Sequence, residues 1–164
     1  MHRTWAGAPG RRHGHTERRS GFSMLEMLLV MIVISVLVGI AIPKMARIIR
    51  HERVNRAAQV LVQDLQNGFA MAGRQRAPVR LTFTPATMSY TFTDRASGTV
   101  LQTRTMATGA DYSLSSMTVE PVNSIDILPN GIGSTWFRVT LVNGDYSRPV
   151  FASTAGFVRI TPTQ

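Results

Sequence analysis

From Met27 to Ile42 the chain holds only apolar residues, Gly39 and Ser35. With its flanks this run approaches the roughly 20 residues that a helix needs to cross a bilayer. One carboxylate, Glu26, stands at its start. After Pro43 the pattern changes: Met45, Ile48, Ile49, Val54, Ala58, Leu61, Leu65 and Phe69 recur at spacings of three to five. That is one apolar face of a helix of period 3.6. The other face is read as carrying Lys44, Arg47, Arg50, Arg53, Arg56, Gln59 and Gln63. A helix is therefore predicted from near Phe22 to about Ala72, with Gly73 and Pro78 as stop signals. Pro43 lies inside it. An interior proline removes a backbone hydrogen bond and costs about 3 kcal/mol unless the helix bends, so a kink is expected there.

From Val79 onward the chain reads as short strands, and 136–142 alternates. Strands are predicted at 79–84, 89–93, 100–105, 125–128, 136–142, 148–153 and 157–161, rich in Thr, Val, Phe and Tyr. Asn143-Gly144 is a strong hairpin signal. The segment 106–124 is the least patterned and reads as a loop with a short strand. The fold class is α+β: a long N-terminal helix packed on a C-terminal antiparallel β-domain, expected as a two-sheet sandwich. Four segments follow: 1–21 a basic leader, 22–43 a membrane-spanning helix, 44–72 an amphipathic helix, and 73–164 a β-domain.

Charge adds orientation. Arg3, Arg11, Arg12, Arg18 and Arg19 against Glu17 give the leader +4 of the chain's total of +9. That excess favours keeping the leader on the cytoplasmic side of the inner membrane. The chain would then cross once, with everything after Pro43 in the periplasm. Lys44, Arg47 and Arg50 sit where anionic head groups would meet the helix. Arg53 and Arg56 read as a solvated face.

The chain has no cysteine, which removes disulfides, thiol catalysis and Cys-based metal sites. Its four histidines are His2, His13, His15 and His51. Only His51 lies beyond the leader, so neither a histidine triad nor a multi-histidine zinc site is expected. No nucleophile–base spacing, phosphate loop or carboxylate pair stands out. No enzyme activity, cofactor or metal is expected.

An ordinary secretory signal places its small-residue cleavage site after the apolar region. Here the small residue, Gly21, precedes it. A cut between Gly21 and Phe22 would remove only the leader and keep the hydrophobic helix. Gly21, Phe22, Glu26 and Pro43 together resemble the class III signal of type IV pilins and type II secretion pseudopilins. The resemblance implies cleavage after Gly21 by a prepilin peptidase and N-methylation of Phe22. Glu26 becomes the fifth mature residue. A carboxylate in a helix bound for hydrocarbon costs about 2.5–3.5 kcal/mol or more and calls for a partner. The free amine of Phe22 on a neighbouring subunit would serve and would set axial register. The alternative is a carboxylate solvated among head groups.

The C-terminal third resembles the GspH/FimT-type minor pseudopilins, through Ile127-Leu-Pro-Asn-Gly131, the strand 137–142 and Ser153-Thr-Ala-Gly156-Phe-Val-Arg159. The resemblance implies a minor pseudopilin of a type II secretion pseudopilus, serving protein export, with other minor and major pseudopilins and inner-membrane lipid as partners. The alternative is a minor pilin of a type IV pilus that binds DNA for uptake. DNA-binding members carry Gly-Arg-x-Arg, whereas this chain has Gly156-Phe157-Val158-Arg159. Only Arg159 matches, and phosphate recognition relies on several cations acting together. Arg148 and Arg138 are candidates to make up the loss. Nucleic acid is thus the second choice of partner.

Overall fold

The computed structural model describes residues 21–107, 109 and 111–162. The leader expected at 1–21 lies outside the described residues, apart from Gly21. The chain divides into two units, one ending at Ile40 and one beginning at Ala41.

The described part of the first unit is helical from Met24. The helix, α1, spans Met24–Gln75. Ser23 caps its start: its hydroxyl accepts the backbone N–H of Leu25 at 3.3 Å, satisfying one of the donors that a helix N-terminus leaves open. Every described residue from 21 to 40 is exposed. The most apolar 18-residue window of α1 has a mean hydropathy of 2.8, with none of it buried. Inside this segment the Ser35 hydroxyl donates to the Met31 carbonyl at 2.7 Å, so it carries no open donor into an apolar setting.

In the second unit the helix continues without interruption through position 43. It ends at Gln75, three residues beyond the expected limit of 72. Arg76, at φ 52°, rather than Gly73, makes the left-handed turn that stops it. Gly73 stays helical, so the β-domain begins later than residue 73.

Two four-stranded antiparallel sheets follow. The first, in order β3-β2-β1-β5, is built from β1 (Val79–Thr84), β2 (Ser89–Asp94), β3 (Val100–Thr105) and β5 (Ser124–Ile127). The second, in order β4-β6-β7-β8, comprises β4 (Ser116–Glu120), β6 (Phe137–Asn143), β7 (Tyr146–Ala152) and β8 (Val158–Ile160). The short strand expected within 106–124 is β4. Asn143 pairs with Tyr146, so the β6–β7 hairpin turns on Gly144-Asp145, one residue later than the Asn-Gly signal implied. The Asn143 amide is occupied instead, donating to the Ser113 carbonyl at 2.8 Å.

Alternate strand residues point inward and meet the helix in one core. Leu81, Tyr90, Phe92 and Ile125 from the first sheet and Phe137, Val139, Leu141 and Val150 from the second are fully or almost fully buried. The rings of Phe83 (β1) and Phe137 (β6) lie 5.7 Å apart and join the sheets. From α1 the core takes Val54, Ala57, Ala58, Leu61, Leu65 and Ala72. The predicted apolar face is therefore covered only from Val54 onward. Met45, Ile48 and Ile49 remain exposed, at 60, 57 and 47%.

Candidate functional site

The expected cleavage site, Gly21 and Phe22, lies at the start of the described chain. Gly21 and Phe22 precede the first helical turn and are exposed, Phe22 at 75%. A peptidase needs an extended, accessible peptide, and these residues lie outside the helix. Glu26 falls in the first turn of α1, where the helix dipole favours a negative charge. Ser23-Met24-Leu25-Glu26 has the spacing of a capping box, a signal that the sequence reading missed. Among the described residues neither bond of the box is made, since the Ser23 hydroxyl takes the N–H of Leu25 and not that of Glu26. Among the described residues the Glu26 carboxylate has neither a hydrogen bond nor an ion pair. Its exposed carboxylate is open to a partner from another molecule.

The two arginines proposed for DNA or partner contact are separated. Arg159 points outward from β8, with its guanidinium 5.8 Å from the centre of the Phe151 ring. Strand register sets Arg138, Phe151 and Arg159 in one row across β6, β7 and β8. All three belong to the outward-facing alternation, and the exposed Trp136 stacks on Phe151 with centroids 6.1 Å apart. Arg148 has the opposite parity on β7. It turns toward the helix, where its Nε donates to Asn55 Oδ1 at 2.8 Å. Tyr146 donates to the same oxygen at 3.2 Å and stacks on His51, centroids 4.0 Å apart. Arg148 thus fastens the hairpin to α1, and Arg138 is the residue that joins Arg159. In the Gly156 turn Phe157 is 63% exposed where the DNA-binding pattern has its first arginine.

The sequence reading also missed the polar group inside the core. Asp64 on α1 is 5% exposed. Tyr90 Oη donates to its Oδ2 at 2.6 Å, and Arg104 grips both carboxylate oxygens, Nε at 2.5 Å and Nη2 at 3.2 Å. Burial first, and then the Asp64 hydrogen bond, push the Tyr90 hydroxyl pKa well above its ordinary value. The Asp64 hydrogen bond likewise raises Arg104. A paired, hydrogen-bonded charge is the form in which a buried carboxylate is tolerated. The group ties α1 to β2 and β3. A signal existed in Asp64, a charge that falls within the apolar stripe beside Leu61 and Leu65.

Two further clusters are superficial. Arg80 and Asp126 face each other across β1 and β5 at 2.8 Å, and Arg95 reaches the same carboxylate at 3.2 Å. Arg50 lies 3.5 Å from Asp145 at the hairpin tip. Among the described residues no group of three His, Asp or Glu side chains is placed to hold a metal.

Residues 17–42 carry the prokaryotic N-terminal methylation motif. The match spans Arg18, Arg19, Gly21, Phe22 and Glu26 and runs to the end of the apolar run, and a class III signal of this kind implies processing by a prepilin peptidase. The fold is pilin-like. The chain is similar to the crystal structure of the type IV minor pilin FimU of Pseudomonas aeruginosa, at 20% identity and a TM-score of 0.55, covering 68% of this chain and 90% of that one. It is equally similar to the minor pseudopilin EpsH from the type II secretion system of Vibrio cholerae, at 15% identity and a TM-score of 0.55, covering 70% and 97%. A second EpsH structure gives 18% and 0.53, over 66% and 96%. At these identities the likeness is one of fold. Among curated proteins none matches the chain.

Proposed function

We propose that this chain is a minor pseudopilin, a non-enzymatic assembly subunit of a type II secretion pseudopilus that serves protein export. The observation that carries the reading is the methylation motif at 17–42 heading an exposed apolar helix whose Glu26 carboxylate has no partner among the described residues. Residues 22–43 would anchor the protein in the inner membrane, with the C-terminal domain in the periplasm, and would later pack in the filament. The prepilin peptidase would cut after Gly21, and Phe22 would be methylated. Glu26 would then pair with the Phe22 amine of a neighbouring subunit. In low dielectric that pair fixes register, because a carboxylate left unpaired there is costly.

A second reading, a DNA-binding minor pilin of a type IV pilus, draws support from the row Arg138–Phe151–Arg159. Two cations flanking an aromatic ring suit a phosphate backbone and stacked bases. The substitution of Phe157 for an arginine counts against it. Mass spectrometry of the protein cross-linked in native membranes separates the two. The first reading expects other pseudopilins among the partners. Recovery of pilus subunits, with salt-dependent DNA binding lost in Arg159→Ala, would replace it with the second.

A further inference from the structure

A helix stripe at Ala46, Ile49, Arg50 and Arg53 faces Ser113, Ser115 and Asn143 across an open cleft of about 490 Å³. The spacing i, i+3, i+4, i+7 continues the stripe that, from Val54 to Ala72, packs into the core. Here the sheets end and the stripe is left open, with small and apolar residues giving way to cations. The basic residues were expected on the opposite face. Lys44, Arg47, Arg50, Arg53 and Arg56 recur every three residues, and at 3.6 residues per turn each step falls back by about 60°. The series therefore winds around the helix and brings Arg50 and Arg53 into the cleft.

The cations are short of acceptors. The Nε of Arg50 is buried and has no hydrogen-bond partner, and its nearest carboxylate, Asp145, is 62% exposed at 3.5 Å. Among the described residues Lys44, Arg47, Arg53 and Arg56 have no ion pair. Exposed Met45, Ile48 and Ile49 are interleaved with them. The cleft's helical wall begins four residues past Ile42, where the apolar run ends, or about 6 Å along the axis. Cations interleaved with exposed apolar side chains at that distance from an apolar span match the boundary between head groups and acyl chains.

We propose that this cleft binds the phosphate of an anionic phospholipid, with Arg50 and Arg53 on the phosphate and Ala46 and Ile49 against the glycerol and acyl start. The inference rests on the membrane-anchored reading above. It gives the subunit a held position at the membrane surface before assembly, with Arg53 as a ligand contact rather than a merely solvated residue.

The test is native mass spectrometry of the full processed chain released from nanodiscs containing equal phosphatidylglycerol and phosphatidylcholine. The expected result is preferential retention of phosphatidylglycerol. Each cation near a lipid surface is worth about five-fold in such a preference. Arg53→Gln, which disturbs no ion pair among the described residues, should lower the preference about five-fold, and adding Arg50→Gln should lower it about five-fold again. Arg74→Gln, at the far end of α1, should leave it unchanged. Equal retention of the two lipids by the wild type, or undiminished preference in Arg53→Gln, would overturn the proposal. So would occupation of the cleft by an acidic segment of another subunit, cross-linked at position 53, with no lipid preference. A wild type that lacks lipid preference yet begins at Phe22 would sink this inference alone. A chain absent from membranes would sink the anchored reading as well.

Discussion

At the scale of single residues, Asp64 carries the largest burden in the domain. It brings a charge under the helix, where among the described residues Tyr90 and Arg104 answer it. Tyr90→Phe removes one hydrogen bond to a charged acceptor and should cost about 1.5–2 kcal/mol in urea unfolding. Asp64→Ala leaves Arg104 without its partner. It should cost about 2–3 kcal/mol, less than for a fully buried pair because the Arg104 side chain is 34% exposed. Tyr90 also predicts an alkaline limb. Its pKa is raised in the fold, so above about pH 10 the unfolded tyrosine ionises while the buried one does not, and stability falls. Thermal melts between pH 8 and 11 should show that fall in the wild type and a shallower one in Tyr90→Phe. Asp126 has the opposite sign. The hydrogen bonds of Arg80, aided by the charges of Arg80 and Arg95, hold its carboxyl below the usual value against the opposing effect of burial. Its contribution is present above about pH 4 and is lost as pH falls through the folded value. Asp126→Asn should flatten the acid limb of the same melts.

At the scale of elements, the helix comes close to the first sheet at Gly68. A Cβ there would overlap the ring of Phe92. Gly68→Ala should therefore destabilise the fold by about 1–3 kcal/mol despite the better helix propensity of alanine. Gly73→Ala meets only the Pro129 carbonyl at 3.7 Å and should gain up to about 1 kcal/mol. Chemical denaturation of the two variants measures the contrast. These elements also mark how far the pattern in the chain could be read. Runs rich in Thr, Val, Phe and Tyr between turn residues located β1, β2, β3 and β5 to β8 within one or two residues, and β1, β2 and β6 also alternate between core and solvent. β4 was harder to read, since it lies in a segment of mixed Ser, Thr and Val whose inward face holds only Met117 and half-buried Val119. The end of α1 was placed early because Gly73 reads as a stop signal, yet a non-glycine, Arg76, took the left-handed position. The arginines show the same limit at the site. Strand parity turns Arg148 inward to Asn55 and aligns Arg138 with Arg159, and parity follows from register, which linear order does not display. Asp64 passed unnoticed because its partners lie 26 and 40 residues away.

At the scale of the whole molecule, the N-terminal segment and the β-domain answer different solvents. Residues 24–42 expose apolar side chains throughout, and among the described residues nothing covers them. On the proposed function a bilayer would supply that cover before assembly, and neighbouring subunits would supply it afterwards. On this account the carboxylate of Glu26 is tolerated because its partner arrives with the next subunit. Glu26→Ala should leave leader removal intact while filament incorporation, followed by cross-linking yield in membranes, drops about ten-fold or more. Normal incorporation would remove the register role.

The central claim is that the chain is trimmed before, and not after, its hydrophobic helix. Its most direct test is intact-mass and N-terminal peptide analysis of the full chain expressed with a prepilin peptidase. The account predicts a mature protein of 143 residues beginning with N-methylated Phe22 and retaining the whole of α1. A chain that still begins upstream of Gly21, or one cut after Ile42, would contradict it.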